Sequence, residues 1–191
     1  MRSFAFKALA VLLASCATVT TAWADHPRYL PQRDAQIVYR SDGSDPMVPQ
    51  SLTMRYAAAL DRLRIDGGPL GWLLVDRPHQ RVELVMPATH LVIPMPQGAG
   101  LTRGFVLSRQ LDFHRVGTDT VIGRLCTLYD VTSDGAHARV CLTADGLLLR
   151  GDGQGRDGRH AHIEAVSVEI AAQPADLFAP PAGYRSMAFP R

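Results

Sequence analysis

Along most of this chain apolar and polar residues alternate with a period of two rather than recurring every three or four positions. Leu52, Met54 and Tyr56 alternate with Thr53 and Arg55; Leu63 and Ile65 alternate with Arg62 and Arg64; Val82, Leu84 and Met86 stand against Arg81 and Glu83. This period sends successive side chains to opposite faces of a strand, so each run predicts a strand with one buried face. Segments 35–40, 72–76, 91–95, 111–115, 147–150 and 159–170 continue the series. Turn-forming residues break it, among them the run from Ser41 to Pro46 and Gly67-Gly68-Pro69. In the last segment the apolar phase slips between Ala165 and Val166, which predicts a bulge.

The pattern is densest around two cysteines. Leu125, Thr127, Tyr129 and Val131 alternate with Cys126, Leu128 and Asp130, and Ala138, Val140 and Leu142 alternate with Arg139 and Cys141. Thr132-Ser133-Asp134-Gly135 between them has turn chemistry. A loop over residues 132–135 sets 131 opposite 136, which places Cys126 opposite Cys141, Asp130 opposite His137 and Thr127 opposite Val140. This register predicts a disulfide between Cys126 and Cys141. No C-x-x-C spacing or adjacent activating base supports the rival reading of free catalytic thiols. Asp145-Gly146 then signals a tight hairpin pairing Leu142 with Leu149 and Ala144 with Leu147.

Together these segments predict a mainly β fold, a large curved antiparallel sheet of about eleven strands. Helix is scarce. Residues 101–110 fit one despite Gly104, and 174–178 fit a single turn opened by proline. A wide sheet with one apolar face must bury that face against something. With few helices to roof it, the sheet closes on itself or keeps an apolar concave surface. Met54, Trp72, Leu84, Met86 and Phe113 are the candidate lining of such a surface, methionine being suited to irregular apolar ligands.

The first residues differ from the rest. Arg2 and Lys7 precede an apolar run, and Ala22-Trp23-Ala24 ends it with small residues two apart. This is the layout of a secretory signal peptide, residues 1–24, cleaved between Ala24 and Asp25. Leu13-Ala14-Ser15-Cys16 supplies a second reading, a lipobox that leaves an acylated Cys16 as the new N-terminus of a membrane-anchored lipoprotein. Residues 25–32 then form an N-terminal extension, 33–186 one domain and 187–191 a tail. The signal region holds two of the chain's 20 basic residues and none of its 18 acids, so the remainder is neutral. A neutral chain excludes a basic nucleic-acid binder, and 47% apolar residues exclude general disorder. No later stretch is apolar for long enough to cross a membrane as a helix.

Few residues point to chemistry. His160-Ala161-His162 presents two imidazoles on one strand face, with Asp152 and Asp157 in the preceding Gly-rich stretch, but two histidines fall short of the three or four ligands of a zinc site. Gly151, Gly153 and Gly155 open no helix and no lysine follows Lys7, so no phosphate loop is formed and no nucleotide cofactor is expected. There is no G-x-S-x-G, and Asp61, Asp66, Asp112 and Asp119 are spread over turns and strand ends. No catalytic set emerges.

Three stretches together carry a resemblance: Met54-Arg55-Tyr56 through Arg62-Leu63-Arg64-Ile65-Asp66; Gly123-Arg124-Leu125-Cys126 with residues 141–150; and Pro174-Ala175-Asp176-Leu177-Phe178 followed by Pro181-Ala182-Gly183-Tyr184. Their order resembles bacterial periplasmic proteins of the DUF4412-like kind, related in pattern to the lipoprotein-carrier (LolA/LolB-like) group, over roughly residues 33–186. The resemblance implies a half-barrel whose concave side shelters acyl chains. This chain departs from the carriers in having fewer helices. The expectation is therefore a periplasmic, non-catalytic protein that binds or shields a lipid or acyl chain. The alternative is a structural or partner-binding envelope protein whose sheet is filled by its own side chains.

Overall fold

The computed structural model describes residues 26–43, 49–95, 111–133, 136–154, 158 and 160–187. The expected signal peptide with Cys16 and Ala24, and Asp25 after it, lie outside the described residues, as do the helix expected at 101–110 and Asp157. The described chain is mainly β: β1 Ala35–Gly43, β2 Ser51–Ala57, β3 Arg62–Gly68, β4 Gly71–Asp76, β5 Arg81–Met86, β6 Leu91–Pro94, β7 Asp112–Val121, β8 Arg124–Ser133, β9 Ala136–Leu142, β10 Leu148–Gln154, β11 His160–Glu169 and β12 Arg185–Ser186. They form one curved, open sheet in the order β12-β6-β5-β4-β3-β2-β1-β11-β10-β9-β8-β7. Neighbours pair antiparallel except β12, which pairs parallel with β6 through Arg185 and Ser186. This short pair is the twelfth strand, beyond the eleven read from alternation.

Two expected positions shift. β1 runs on to Gly43, so Ser41 and Asp42 belong to a strand rather than a turn. Gly151 and Gly153 lie inside β10 and pair with β9 and β11, so that part of the Gly-rich stretch is ladder rather than loop. The bulge at Val166 is present: Val38 pairs with Ser167 and Tyr39 with Ala165, and Val166, the extra residue between them, is 48% exposed. The turn expected at 174–178 is a 3-10 turn, Ala175–Phe178.

The cysteine hairpin folds in a different register from the one expected. Ser133 pairs with Ala136, so every partner on β9 lies two residues further along: Asp130 faces Arg139, Thr127 faces Leu142 and Cys141 faces Leu128. The physical reason is that Asp134-Gly135 suits a two-residue connection, and Arg139 offers Asp130 a permanent cation where His137 does not. Arg139 donates two hydrogen bonds to the Asp130 carboxylate, at 2.7 and 3.0 Å. The Cys126–Cys141 disulfide forms even so. At the next turn Leu142 pairs with Leu148 rather than with Leu149, and a bulge beside Leu148 restores the expected register from Arg150 onward. The Ala144–Leu147 pair is replaced by a tighter turn, in which Gly146 N–H donates to Thr143 O and the Thr143 hydroxyl accepts from Leu147 N–H.

One face of the sheet is the inner one, and residues 26–34 reveal which. Tyr29 stacks on Phe113 of β7, while Leu30 packs against Tyr56, Leu63 and Val75 of β2, β3 and β4. β2 and β7 are six places apart in the sheet, roughly 29 Å if it were flat. Consecutive residues reach both only because the sheet curls with this face inward. The segment is held in place by Asp34, whose carboxylate accepts from Ala58 N–H and Gln173 N–H, and by Gln32 N–H donating to Asp145 O. Leu30 also crosses the turn at Gly146, where a Cβ would lie 2.0 Å from Leu30 O and only glycine fits.

Candidate functional site: the inner apolar row

Directly opposed residues of an antiparallel ladder project from the same face. Following them from β11 to β6 gives one unbroken row: Val168, Ile37, Met54, Ile65, Leu73, Leu84 and Ile93. Met86 and Leu91 are partners one step along the same face. Tyr56, Leu63 and Val75, the step on the other side, touch Leu30 from the N-terminal segment and belong to the same face. The row is therefore on the inside of the curve.

Its burial is graded. Ile37 is 1% exposed at the centre of the sheet, whereas Met54, Ile65, Leu73, Leu84, Met86, Leu91 and Ile93 are half-buried. Towards β7 the same face is packed with Val131, Val140 and Leu142, against which Tyr29, Phe113 and Tyr129 lie. Thus the inner face is filled by the chain's own side chains over β7–β9 and, beneath Leu30, at Tyr56, Leu63 and Val75, while the row from Met54 to Ile93 stays partly open to solvent.

Of the five residues selected from sequence, Met54, Leu84 and Met86 meet on this partly open stretch. Phe113 is on the same face but at the distant edge strand, with its ring against Tyr29, His26 and Tyr129. Trp72 projects from the opposite face. It pairs with Val85, packs in a cluster of Leu74, Val85 and Val92 covered by Tyr184, and carries the Arg64 guanidinium 4.1 Å from its ring centre. Its immediate neighbour Leu73 is the residue that faces inward. Ile65, Leu73 and Ile93 were not singled out from sequence; the alternation marks each as apolar, but only the register between hairpins shows that they form one row with Met54 and Leu84.

Besides the apolar cluster around Trp72, the outer face carries a polar row. Across β7, β8, β9, β10, β11 and β1, His114, Asp130, Arg139, Asp152, His162 and Asp42 are successive partners. Arg139 holds the Asp130 carboxyl below its ordinary value of 3.8 by hydrogen bonding. His162 Nδ1 lies 2.8 Å and His160 Nε2 3.7 Å from Asp152 Oδ1. The His160/His162 pair thus sits beside a carboxylate, yet among the described residues no group of three or more His, Cys, Asp or Glu is arranged to hold a metal ion. One step along, Arg150 bridges Asp119 and Glu164, and Arg40 lies 3.6 Å from Glu164. Beyond the sheet centre, Arg62 and Arg64 reach the carbonyls of Phe178 and Leu177 and tie the C-terminal 3-10 turn to the outer face. No helix of the described residues is long and apolar enough to cross a membrane.

No family model matches this chain, and no curated protein does. Among solved structures, PNGF-II is similar with a TM-score of 0.50 and 13% identity, over 81% of this chain and 30% of that one. The chain thus spans less than a third of PNGF-II's length. MucB in complex with MucA(peri) aligns with a TM-score of 0.46 and 13% identity, over 83% of this chain and 58% of that one. A LolA superfamily protein from Nitrosomonas europaea aligns with a TM-score of 0.45 and 11% identity, over 80% of this chain and 92% of that one. At these identities the likeness concerns the fold alone, and this chain is built on one large curved β-sheet.

Proposed function

We propose that this protein is exported and binds an apolar group, a lipid or acyl chain, along the inner row between Met54 and Ile93, without catalysis. One observation carries the reading: the inner face of the curve bears an uninterrupted apolar row that is only half-buried over β2–β6. A half-buried apolar row on the hollow side of a sheet gains about 0.8 kcal/mol for each methylene that it shelters from water. The Cys126–Cys141 disulfide and the signal-like N-terminus support export, because disulfides persist in oxidising compartments.

The test is native mass spectrometry of the protein purified from a bacterial envelope, with Leu84→Glu and Met86→Glu beside the wild type. Bound lipid in the wild type that is lost in both variants, with unchanged unfolding midpoints, supports the reading. A bare mass together with no uptake of an apolar dye overturns it. Detergent partition of the wild type against Cys16→Ala separates an acylated anchor from a free secreted form.

A second reading draws on a different observation. Tyr29 and Leu30 fill part of the inner face from within the chain. If residues of this kind fill the whole face in solution, the protein is a structural or partner-binding envelope component with no small ligand.

A further inference from the structure

On β1 the inner face holds two buried hydroxyl-bearing residues, two positions apart, and they differ in one respect. Tyr39 is 1% exposed, and its hydroxyl donates to Leu148 O at 2.8 Å. Ser41 is 4% exposed, and its Oγ has no hydrogen-bond partner among the described residues. Its backbone N–H is occupied, donating to Gln50 O at 2.8 Å. A buried hydroxyl without a partner opposes folding, and nothing in the local β-ladder requires a polar side chain at this position.

Beyond the groups that cover Ser41, that face is lined by small residues. Ile163 stands opposite it on β11, and beyond Ile163 comes Gly151 of β10. One step along the strands, Ala161, Gly153 and Ala138 are successive partners across β11, β10 and β9. Glycine inside a strand is unfavourable, and it marks places where another group approaches the backbone closely. Over Gly151 an added Cβ would come 3.4 Å from Ile163 Cγ1, so Ile163 closes that position. Ala161, Gly153 and Ala138 are half-buried and present no side chain larger than a methyl.

We propose that Ser41 is a carbonyl-recognising residue: its hydroxyl donates a hydrogen bond to the ester or amide carbonyl of an acylated ligand that enters over the small-residue floor of β9–β11. This inference rests on the apolar-binding reading above and narrows it, from any apolar group to an acyl chain with its carbonyl attached. A hydrocarbon lacking that carbonyl gains nothing from Ser41.

The mature, disulfide-bonded protein is titrated with a pyrenyl fatty-acid methyl ester and with the pyrenylalkane of equal length. Ser41→Ala is expected to weaken ester binding about five-fold and to leave alkane binding within about two-fold, while raising the unfolding midpoint because an unpartnered hydroxyl is removed. Ser41→Thr, which keeps a hydroxyl, is expected to retain the preference for the ester. If the wild type binds both probes and Ser41→Ala binds the ester as tightly as wild type, or loses both probes equally, the role of Ser41 is overturned and the apolar-binding reading stands. If the wild type binds neither probe, the apolar-binding reading itself fails. Displacement of the ester by a diacyl phospholipid or by a triacylated cysteinyl peptide, in wild type but weakened in Ser41→Ala, supports the proposal and identifies the source of the carbonyl. Displacement by neither overturns it.

Discussion

Cys126 and Cys141 are covalently joined although they are not partners in the ladder: Cys141 stands opposite Leu128, and the two cysteine Cα atoms nevertheless lie 5.4 Å apart. That separation is within the range a disulfide needs. Twist in a pair of strands brings one diagonal closer than the other, so the bridge forms although the register from which it was expected is two residues off.

The first prediction concerns this bridge. Its cysteines are 15 residues apart, and closing a loop of that length stabilises a fold by about 3 kcal/mol in the chain-entropy account. Both Cys126 and Cys141 are almost fully buried. Reduction is expected to lower the urea midpoint of the wild type accordingly, and the Cys126→Ser/Cys141→Ser double variant is expected to show no further change with reductant. An identical midpoint before and after reduction would show that the bridge adds nothing.

The second concerns the register itself. The hydrogen bond from Arg139 is the first cause of the depressed Asp130 carboxyl, with the charges of Arg139 and His114 adding to it. A carboxyl depressed in the folded state contributes stability that is present above its ordinary value of 3.8 and is lost as pH falls through the folded value. Arg139→Gln should move the Asp130 titration upward toward 3.8, read by NMR of the carboxyl carbon, and make unfolding less steep in acid. His137→Gln should leave Asp130 unmoved. The opposite pattern would restore the register with Asp130 facing His137.

The general architecture was legible because it depends on local signals. Period-two alternation and the phase slip at Val166 act within a few residues and are where the chain suggested them, while the break expected at Gly67-Gly68-Pro69 falls one step later, at Pro69 and Leu70, because Gly67 and Gly68 still belong to β3. The site was legible in part. Alternation says that Trp72 and Leu73 lie on opposite faces, but not which face turns inward. The larger aromatic ring looks like ligand lining until Arg64 is seen to lie over it and its neighbours Leu74, Val85 and Val92 to be buried on the outer face. That choice depends on the curl of the whole sheet and on Tyr29 and Leu30 crossing it. Those contacts join residues far apart in sequence, beyond the reach of any short window. The turn before β9 was misread for a different reason: the run from Thr132 to Gly135 allows either a four-residue or a two-residue connection, and the Asp130–Arg139 pair across the hairpin favours the shorter one.

The adjacent pair gives the third prediction. Trp72 packs with Leu74, Val85 and Val92 on the outer face, so Trp72→Ala is expected to cost about 3 kcal/mol of stability while leaving the affinity for an apolar probe unchanged. Leu73 is half-buried on the inner row between Ile65 and Leu84. Leu73→Ser should cost less stability and weaken probe binding by several fold. Equal loss of probe binding in the two variants would show that the faces are wrongly assigned to ligand and cover.

The last prediction concerns alkaline pH. Burial holds the Tyr39 phenol well above its ordinary value of 10.0, and Tyr56 is raised as well, by burial and then by its hydrogen bond to Asp61. In each case the folded state favours the neutral form. A group raised in this way contributes stability that is complete below its unfolded value and is lost as pH rises beyond it. Denaturation midpoints should therefore be flat from neutral pH to about 10 and fall above it. Tyr39→Phe removes the hydrogen bond to Leu148 O, at about 1 kcal/mol near neutral pH, and also removes the largest reason for the alkaline decline. The variant is expected to start lower and to fall less steeply, with Tyr56 accounting for what remains. A decline above pH 10 as steep in Tyr39→Phe as in the wild type would place the titrating group elsewhere, and would make the buried hydroxyl of β1 a packing element rather than a charge-excluding one.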